Sequence, residues 1–307
     1  MYLAPEVEAA LHAARPLVAL ESTLITHGLP WPENAATALA MEAAVRESGA
    51  VPATIGVLGG RITVGLSPEQ IEDFAHRPFG SIRKCSRRDL PIVVARGEDG
   101  ATTVAGTMIV AHRAGIRVFG TGGIGGVHRG APFDVSADLL ELGRTPIAVV
   151  CAGPKAILDL PLTMEVLETH GVPVIGLGTD TLPGFYKRSS GLPVDVRVDT
   201  PREAATIIAA AERMHAQHGL LVVVPVPASE ESTGDVDEAI ERALIEAEDQ
   251  HIRGNAVTPF LLKRVAELSG GAALRANQAL LVHNARTAGL IARELFALRA
   301  QTELAPE

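Results

Sequence analysis

Aromatic residues make up only 3% of this 307-residue chain, so the core cannot rest on large rings. It must be built from Val, Leu, Ile and Ala, the makings of buried parallel strands covered by Ala-rich helices. Positive charge is also short: 27 Lys and Arg stand against 36 Asp and Glu, a net charge of −9. Without an excess positive field to displace counterions, no nucleic-acid partner is expected, and an anionic substrate must be held by a local site. Long hydrophobic runs are missing. The longest, LLVVVPVPA from Leu220, falls short of the roughly 18 to 20 residues that cross a bilayer. The N-terminus has no basic region followed by an apolar one, so a soluble, cytoplasmic protein without membrane contact is expected. The two cysteines, Cys85 and Cys151, lack a paired metal-type spacing and read as reduced, buried thiols. No internal repeat or low-complexity linker interrupts the chain, and a single α/β domain spanning 1–307 is the expectation.

Strand-like apolar runs recur as PLVALE (Pro16 to Glu21), PATIGVL (Pro52 to Leu58), PIVVA (Pro91 to Ala95) and IRVFG (Ile116 to Gly120). They continue as PIAVVCA (Pro146 to Ala152), PVIGLG (Pro173 to Gly178) and LLVVVPV (Leu220 to Val226). Helical patterns lie between most of them. Their starts are signed by Ser67, Thr200 and Thr258, each an N-cap residue with proline after it, and their stops by Gly49, Gly115, Gly171 and Gly219. Alternating strands and helices imply right-handed crossovers and a largely parallel or mixed sheet flanked by helices, with any ligand beyond the carboxyl ends of the strands. From about Asp235 to residue 300 the chain reads as a helical portion packed on that core or on a neighbouring subunit.

Glycine is concentrated in FGTGGIGGVHRG, Phe119 to Gly130, directly after a strand. Gly120, Gly122 and Gly125 satisfy the dinucleotide spacing, but the chain continues VHRGAPFDV where an apolar helix should open, which disfavours a nicotinamide site. A glycine-rich turn still offers backbone N–H groups as an anion nest, with Thr121, His128 and Arg129 as partners for a phosphate. The bland alternative is a tight turn that needs positive φ. KCSRRD, Lys84 to Asp89, adds cations that suit either a phosphate or a solvated edge.

Other chemistry-bearing groups sit where strands end. Lys155 follows PIAVVCA, so a long amine stands at the mouth of a buried strand, where partial loss of water favours the neutral, nucleophilic form. Glu21 ends VALE, beside apolar residues that would raise a carboxyl and suit it to general-acid work. For each, an ordinary surface or strand-end residue is the bland reading. Asp134 and Asp138 in FDVSADL are hard oxygen donors whose spacing promises one carboxylate with waters, a Mg²⁺ or Mn²⁺ pattern, while Asp134 alone fits a helix cap equally well. Asn277 and Asn284 lie seven apart on one helix face and either line a site or satisfy a helix contact.

Taken in order, ALESTLITHG, GAVPATIGVL, GATTVAGTM, GIRVFGTGGIGGVHRG, FDVSADLLELGRTPIAVVCAGPKAILD, GVPVIGLGTD and VTPFLLKRVAEL resemble the pseudouridine-5′-phosphate glycosidase family. That family includes the indigoidine-synthase-A-like proteins, and the match runs from Leu20 to about Leu295. The resemblance implies that Glu21 is the proton donor, Lys155 the lysine that bonds covalently to the sugar, and Asp134 the manganese ligand. It implies substrate contacts at Lys84, Val104, Thr121, His128, Ser136, Ala137, Asp138 and, more loosely, Asn277. It also implies one Mn²⁺ per subunit and a homotrimer. Two features depart from the family pattern: a shorter segment between Arg129 and Asp134, and Pro154 directly ahead of Lys155, expected to fix the backbone at a helix start.

Pseudouridine joins its sugar to uracil through carbon, so no leaving heteroatom can be protonated between two carboxylates. An amine that forms an iminium at C1′ supplies the missing electron sink. The rival readings are a Schiff-base aldolase acting on a sugar phosphate, a nicotinamide oxidoreductase and a noncatalytic sugar-phosphate sensor.

Overall fold

The structure is a computed structural model that describes residues 1–232, 234–252 and 257–303. Seven strands form the parallel body of an eleven-stranded sheet. In spatial order they are Val51–Leu58, Leu17–Glu21, Val118–Gly120, Ala148–Cys151, Leu220–Val223, Val174–Leu177 and Val196–Val198. Antiparallel neighbours at Arg61–Val64 and Gly100–Thr102 make the sheet mixed on one side. The central strands are buried along their whole length, as their unbroken runs of Val, Leu and Ala require.

PIVVA is not a strand. Leu90–Arg96 is a helix with Pro91 near its start and Gly97 in the left-handed conformation at its end. Leu90 and Val93 face inward while Ile92 and Val94 are exposed, a helical spacing of three that a five-residue apolar run does not display. Ser67 accepts from the Gln70 N–H in a reciprocal capping box, and Thr200 accepts from the Glu203 N–H. The side chains of Thr258 and Pro259 lie outside the described residues. Gly49, Gly115 and Gly171 follow their helices with positive φ, but Gly219 does not act as a stop. The helix Pro201–Arg213 ends earlier, with His215 at φ 54°, and a Cβ on Gly219 would lie 2.8 Å from the Ile147 carbonyl. Gly219 is there for close backbone approach.

The last helix, Ala272–Glu303, lies across Glu33–Glu47 and Pro201–Arg213 and against the strands Leu17–Glu21, Val118–Gly120 and Ala148–Cys151. Ala285 and Ala288 meet Gly120, whose missing side chain lets the helix sit on the strand. A smaller antiparallel sheet of Leu158–Asp159, Val127–His128 and Ala131–Val135 rises beyond the carboxyl ends of the large one. The sheet order reverses at Leu17–Glu21: the next parallel strand lies on one side of it and Val118–Gly120 on the other. Such a switch point opens a crevice at the carboxyl ends of the strands.

Candidate active site

A cavity of about 570 Å³ opens in that crevice. Every residue to which the resemblance gives a role in catalysis, substrate or metal binding lines it: Glu21, Lys84, Val104, Thr121, His128, Asp134, Ser136, Ala137, Asp138, Lys155 and Asn277. Glu21 ends its strand and Thr121 follows the neighbouring one, while Lys155 comes from the loop after the strand on the far side of Val118–Gly120. Acid and amine therefore reach the cavity from strands that flank the same third strand.

Lys155 does not begin a helix. Pro154 bridges Ile124 and the next helix starts at Leu160, so the proline stiffens an extended loop instead. That loop is laced to the glycine-rich segment: the N–H groups of Ala152, Ile124 and Lys155 donate to the carbonyls of Gly122, Gly153 and Ile124 at 2.9, 3.1 and 3.1 Å. The lacing explains the glycines. A Cβ at Gly123 would stand 2.7 Å from the Gly153 carbonyl, and one at Gly125 would stand 2.2 Å from Ser136 Oγ.

The turn reading holds only at Gly130, with φ 70°. From Gly120 to Gly126 no residue has positive φ, so the turn reading fails there. The N–H groups of Thr121, Ile124, Gly125 and Val127 donate to protein oxygens, while those of Gly122, Gly123 and Gly126, which line the cavity, have no partner among the described hydrogen bonds. Arg129 does not line the cavity. Its guanidinium donates to the carbonyls of Ala156 and Leu158 at 2.8 and 3.1 Å, clamping the loop behind Lys155. Arg87 forks onto the buried Glu141 carboxylate, and it lines the cavity wall together with Lys84, Ser86 and Arg88.

The electrostatics centre on Glu21, which is 8% exposed. Burial pushes its carboxyl above the ordinary value; the Lys155 charge opposes that shift and Asp138 adds to it. The Thr121 hydroxyl donates to Glu21 Oε1, and Thr23 Oγ1 lies 2.8 Å from Oε2. Burial lowers the Lys84 ammonium, and the Lys155 charge lowers it further. Burial, then the Lys84 charge, brings His27 down to about 4. The two thiols stay outside this chemistry. Cys85 and Cys151 are buried and free, and burial pushes both up to about 12.

Asp138 joins two elements, accepting from the N–H of Ala105 at 3.0 Å and of Gly125 at 2.9 Å. Ser136 caps the helix Ala137–Leu142, so Asp134 is not its cap. Asn284 donates to the Thr121 and Gly122 carbonyls, tying the long helix to the glycine segment, while Asn277 on the same face reaches the cavity. His128 Nδ1 stands 3.1 Å from the Asp134 carbonyl and 3.5 Å from its carboxylate, and His128 Nε2 is buried without a protein partner. A carbonyl can only accept, so Nδ1 carries the hydrogen of that contact. Among the described residues no three His, Cys, Asp or Glu side chains converge as a metal cage. Asp134, half-exposed on the cavity wall, fits a hard ion whose other ligands are water and substrate oxygens.

Three contributors escape the sequence patterns. Thr23 lies two residues beyond Glu21 but past the end of the strand, in helical backbone conformation, so strand alternation does not flag it. Arg129 shows its role only through carbonyls nearly thirty residues away. Phe185 borders the cavity, buried, with φ 66° and edge-on to Tyr186, and no local signal marks it.

Known proteins share this architecture over nearly its full length. The chain is 53% identical over 298 residues to a pseudouridine-5′-phosphate glycosidase of Hahella chejuensis, covering 96% of this chain and 98% of that one. It is 55% identical over 293 residues to a protein of the same name from Paracoccus denitrificans, covering 94% and 96%. Among solved structures, the prealnumycin C-glycosynthase AlnA in complex with ribulose 5-phosphate superimposes with a TM-score of 0.88 at 43% identity, covering 97% and 98%. An indigoidine synthase A-like protein of Thermotoga maritima gives 0.85 at 39% identity, covering 92% and 94%. With residues 6–294 matching the family model for indigoidine synthase A like proteins, the chain belongs to that family.

Proposed function

We propose that this chain is a pseudouridine-5′-phosphate glycosidase, which cleaves the C1′–C5 bond of its substrate to give uracil and ribose 5-phosphate. One observation carries the reading: a buried, raised carboxyl and a lysine amine share one cavity at a sheet switch point, close enough for the charge of Lys155 to act on Glu21. The relatives named above supply the substrate class, and the C-glycosynthase fits the same carbon-to-sugar chemistry.

In this reading the C1′–O4′ bond breaks with its pair on O4′, and the Lys155 amine adds at C1′ while one of its hydrogens passes to O4′. Glu21 gives its proton to uracil C5, the C1′–C5 pair returns to the pyrimidine ring, and the lysine nitrogen lone pair closes an imine to C1′. Water then releases ribose 5-phosphate and the free amine. Arg129 and Pro154 hold the loop that carries the amine, which keeps it near attack geometry. Lys84, Thr121 and His128 are the proposed polar contacts for the anionic substrate, with Val104, Ser136, Ala137, Asp138 and Asn277 forming the rest of its wall. Leu24, Leu158, Phe185 and Leu281 offer an apolar surface for a planar base.

A divalent ion of the Mn²⁺ kind belongs to the same proposal, with Asp134 as its protein ligand. When bound, it would supply positive charge near the substrate phosphate. A homotrimer in the cytoplasm is also part of the reading, and sedimentation of the purified protein measures the assembly. The deciding experiment incubates protein and Mn²⁺ with pseudouridine 5′-phosphate beside an unphosphorylated control, following uracil release by absorbance and trapping the imine with borohydride. Turnover without an adduct at Lys155 would remove the covalent role. Cleavage of sugar phosphates without uracil release would favour an aldolase instead.

A further inference from the structure

Thr23 is 7% exposed, and its hydroxyl contacts two oxygens at once: Glu21 Oε2 at 2.8 Å and the backbone carbonyl of Thr102. A hydroxyl has one hydrogen and two lone pairs. The Thr102 carbonyl can only accept, whereas Oε2 can donate when Glu21 is protonated; a neutral Glu21 therefore satisfies both contacts at once, with Thr23 donating to Thr102 and Oε2 donating to Thr23, while an ionised Glu21 leaves two acceptors competing for one hydrogen. On the other carboxyl oxygen the pattern is reversed. Thr121 donates to Oε1, and its hydroxyl has no competing acceptor among the described hydrogen bonds.

The Thr102 carbonyl is itself held by a buried network. The Thr102 N–H donates to Ser22 Oγ at 2.9 Å, and the Thr102 and Ser22 hydroxyls both donate to the Ile55 carbonyl, at 2.8 and 2.6 Å. Thr107 donates to Thr102 Oγ1 at 2.9 Å. Ser22, Thr102 and Thr107 are each fully buried, so water is not there to offer a substitute partner.

We propose that Thr23 is a positioning residue whose hydroxyl, committed to the Thr102 carbonyl, acts toward Glu21 as an acceptor and holds that carboxyl as the acid, with its proton on Oε2. Oε1 then behaves as the acid's carbonyl and takes the Thr121 hydrogen. Once the proton has moved to the base carbon, Oε2 faces an oxygen lone pair unless Thr23 abandons Thr102, so the surroundings favour return of a proton. Other charges act on the same carboxyl. The Lys155 charge favours the anion, Asp138 disfavours it, and Lys84 and Cys151 lie within electrostatic reach. The inference rests on Glu21 being the acid of the proposed reaction.

The sign of one titration tests it. Infrared difference spectra of the full-length protein against its Glu21→Gln form isolate the carboxylic-acid carbonyl band of residue 21, and its loss with rising pH gives a midpoint without turnover. Loss of an acceptor destabilises the acid, so Thr23→Val lowers that midpoint by about one pH unit, the worth of one hydrogen bond. Thr23→Ala carries the same expectation without a methyl against the Thr102 carbonyl, and Thr23→Ser keeps the wild-type midpoint. A midpoint that rises or stays fixed in Thr23→Val and Thr23→Ala overturns the proposal, because a donor lost from a carboxylate would raise it. Failure of the acid role itself shows elsewhere, as uracil release retained by Glu21→Gln.

Discussion

Thr121 and Glu21 lie one hundred residues apart in sequence, yet the hydroxyl of one donates to the carboxyl of the other in the buried floor of the cavity. The contact exists because their strands are parallel neighbours in register, Leu20 beside Gly120. Thr121→Val removes a donor that favours the carboxylate, so the Glu21 infrared midpoint rises, opposite in sign to Thr23→Val. It also loosens the acid and removes a proposed substrate contact, so kcat falls on the order of tenfold or more and KM rises. Steady-state uracil release over a range of substrate concentrations measures the split.

Burial of Glu21 makes stability depend on pH. Its folded value lies above the ordinary 4.5, so the folded state binds the proton more tightly than the unfolded state. Its contribution to stability is complete below the ordinary value and is lost as pH rises through the folded one. Glu21→Gln escapes that loss. Its melting temperature relative to wild type should climb as pH rises above 4.5 and level off once the native carboxyl is ionised. A pH-independent difference contradicts the raised carboxyl.

Arg129 acts on Lys155 from behind. Replacing it with Met removes two charge-assisted donors to the Ala156 and Leu158 carbonyls while keeping a long apolar stem. The expected result is a drop in kcat of about tenfold or more and slower borohydride trapping at Lys155, from lost positioning of the amine. Trapping at the wild-type rate would leave Arg129 with a merely structural part.

Gly125 has no room for a side chain. A Cβ there would stand 2.2 Å from Ser136 Oγ and 2.9 Å from Asp138 Oδ2. Gly125→Ala should cost about 1 to 3 kcal/mol in urea unfolding, the range for overpacking a tight site. It should also reduce activity, because Asp138 and the loop bearing Lys155 are both tied to this segment.

Asp134 is the proposed ligand for manganese. Asp134→Asn removes the ligand charge, so the Mn²⁺ concentration for half-maximal activity should rise at least tenfold. Electron paramagnetic resonance of free Mn²⁺ provides the matching binding curve. An unchanged curve would move the metal elsewhere.

The strands Leu17–Glu21, Val51–Leu58 and Leu220–Val223 were legible locally because buried parallel strands need unbroken Val, Leu and Ala. The caps at Ser67 and Thr200 were legible too, since a cap satisfies its own first turn. Glu21 and Lys155 stood out because each follows such a strand. What stayed hidden depends on partners distant in sequence. PIVVA became a helix when Leu90 and Val93 found a core to face, since a short apolar run fits either period. That positions 123, 125 and 126 must be glycine was hidden until Gly153 of the loop bearing Lys155 and the side chains of Ser136, Thr163 and Phe185 filled the space beside them. Arg129 looked like a phosphate ligand until its carbonyl partners were in place. Local sequence thus determined most of the strands and several caps, and it placed the carboxyl of Glu21 and the amine of Lys155 at strand ends. Tertiary structure alone decided which donor meets which acceptor, because a hydrogen bond is fixed by the distance and direction of groups that the sequence leaves far apart.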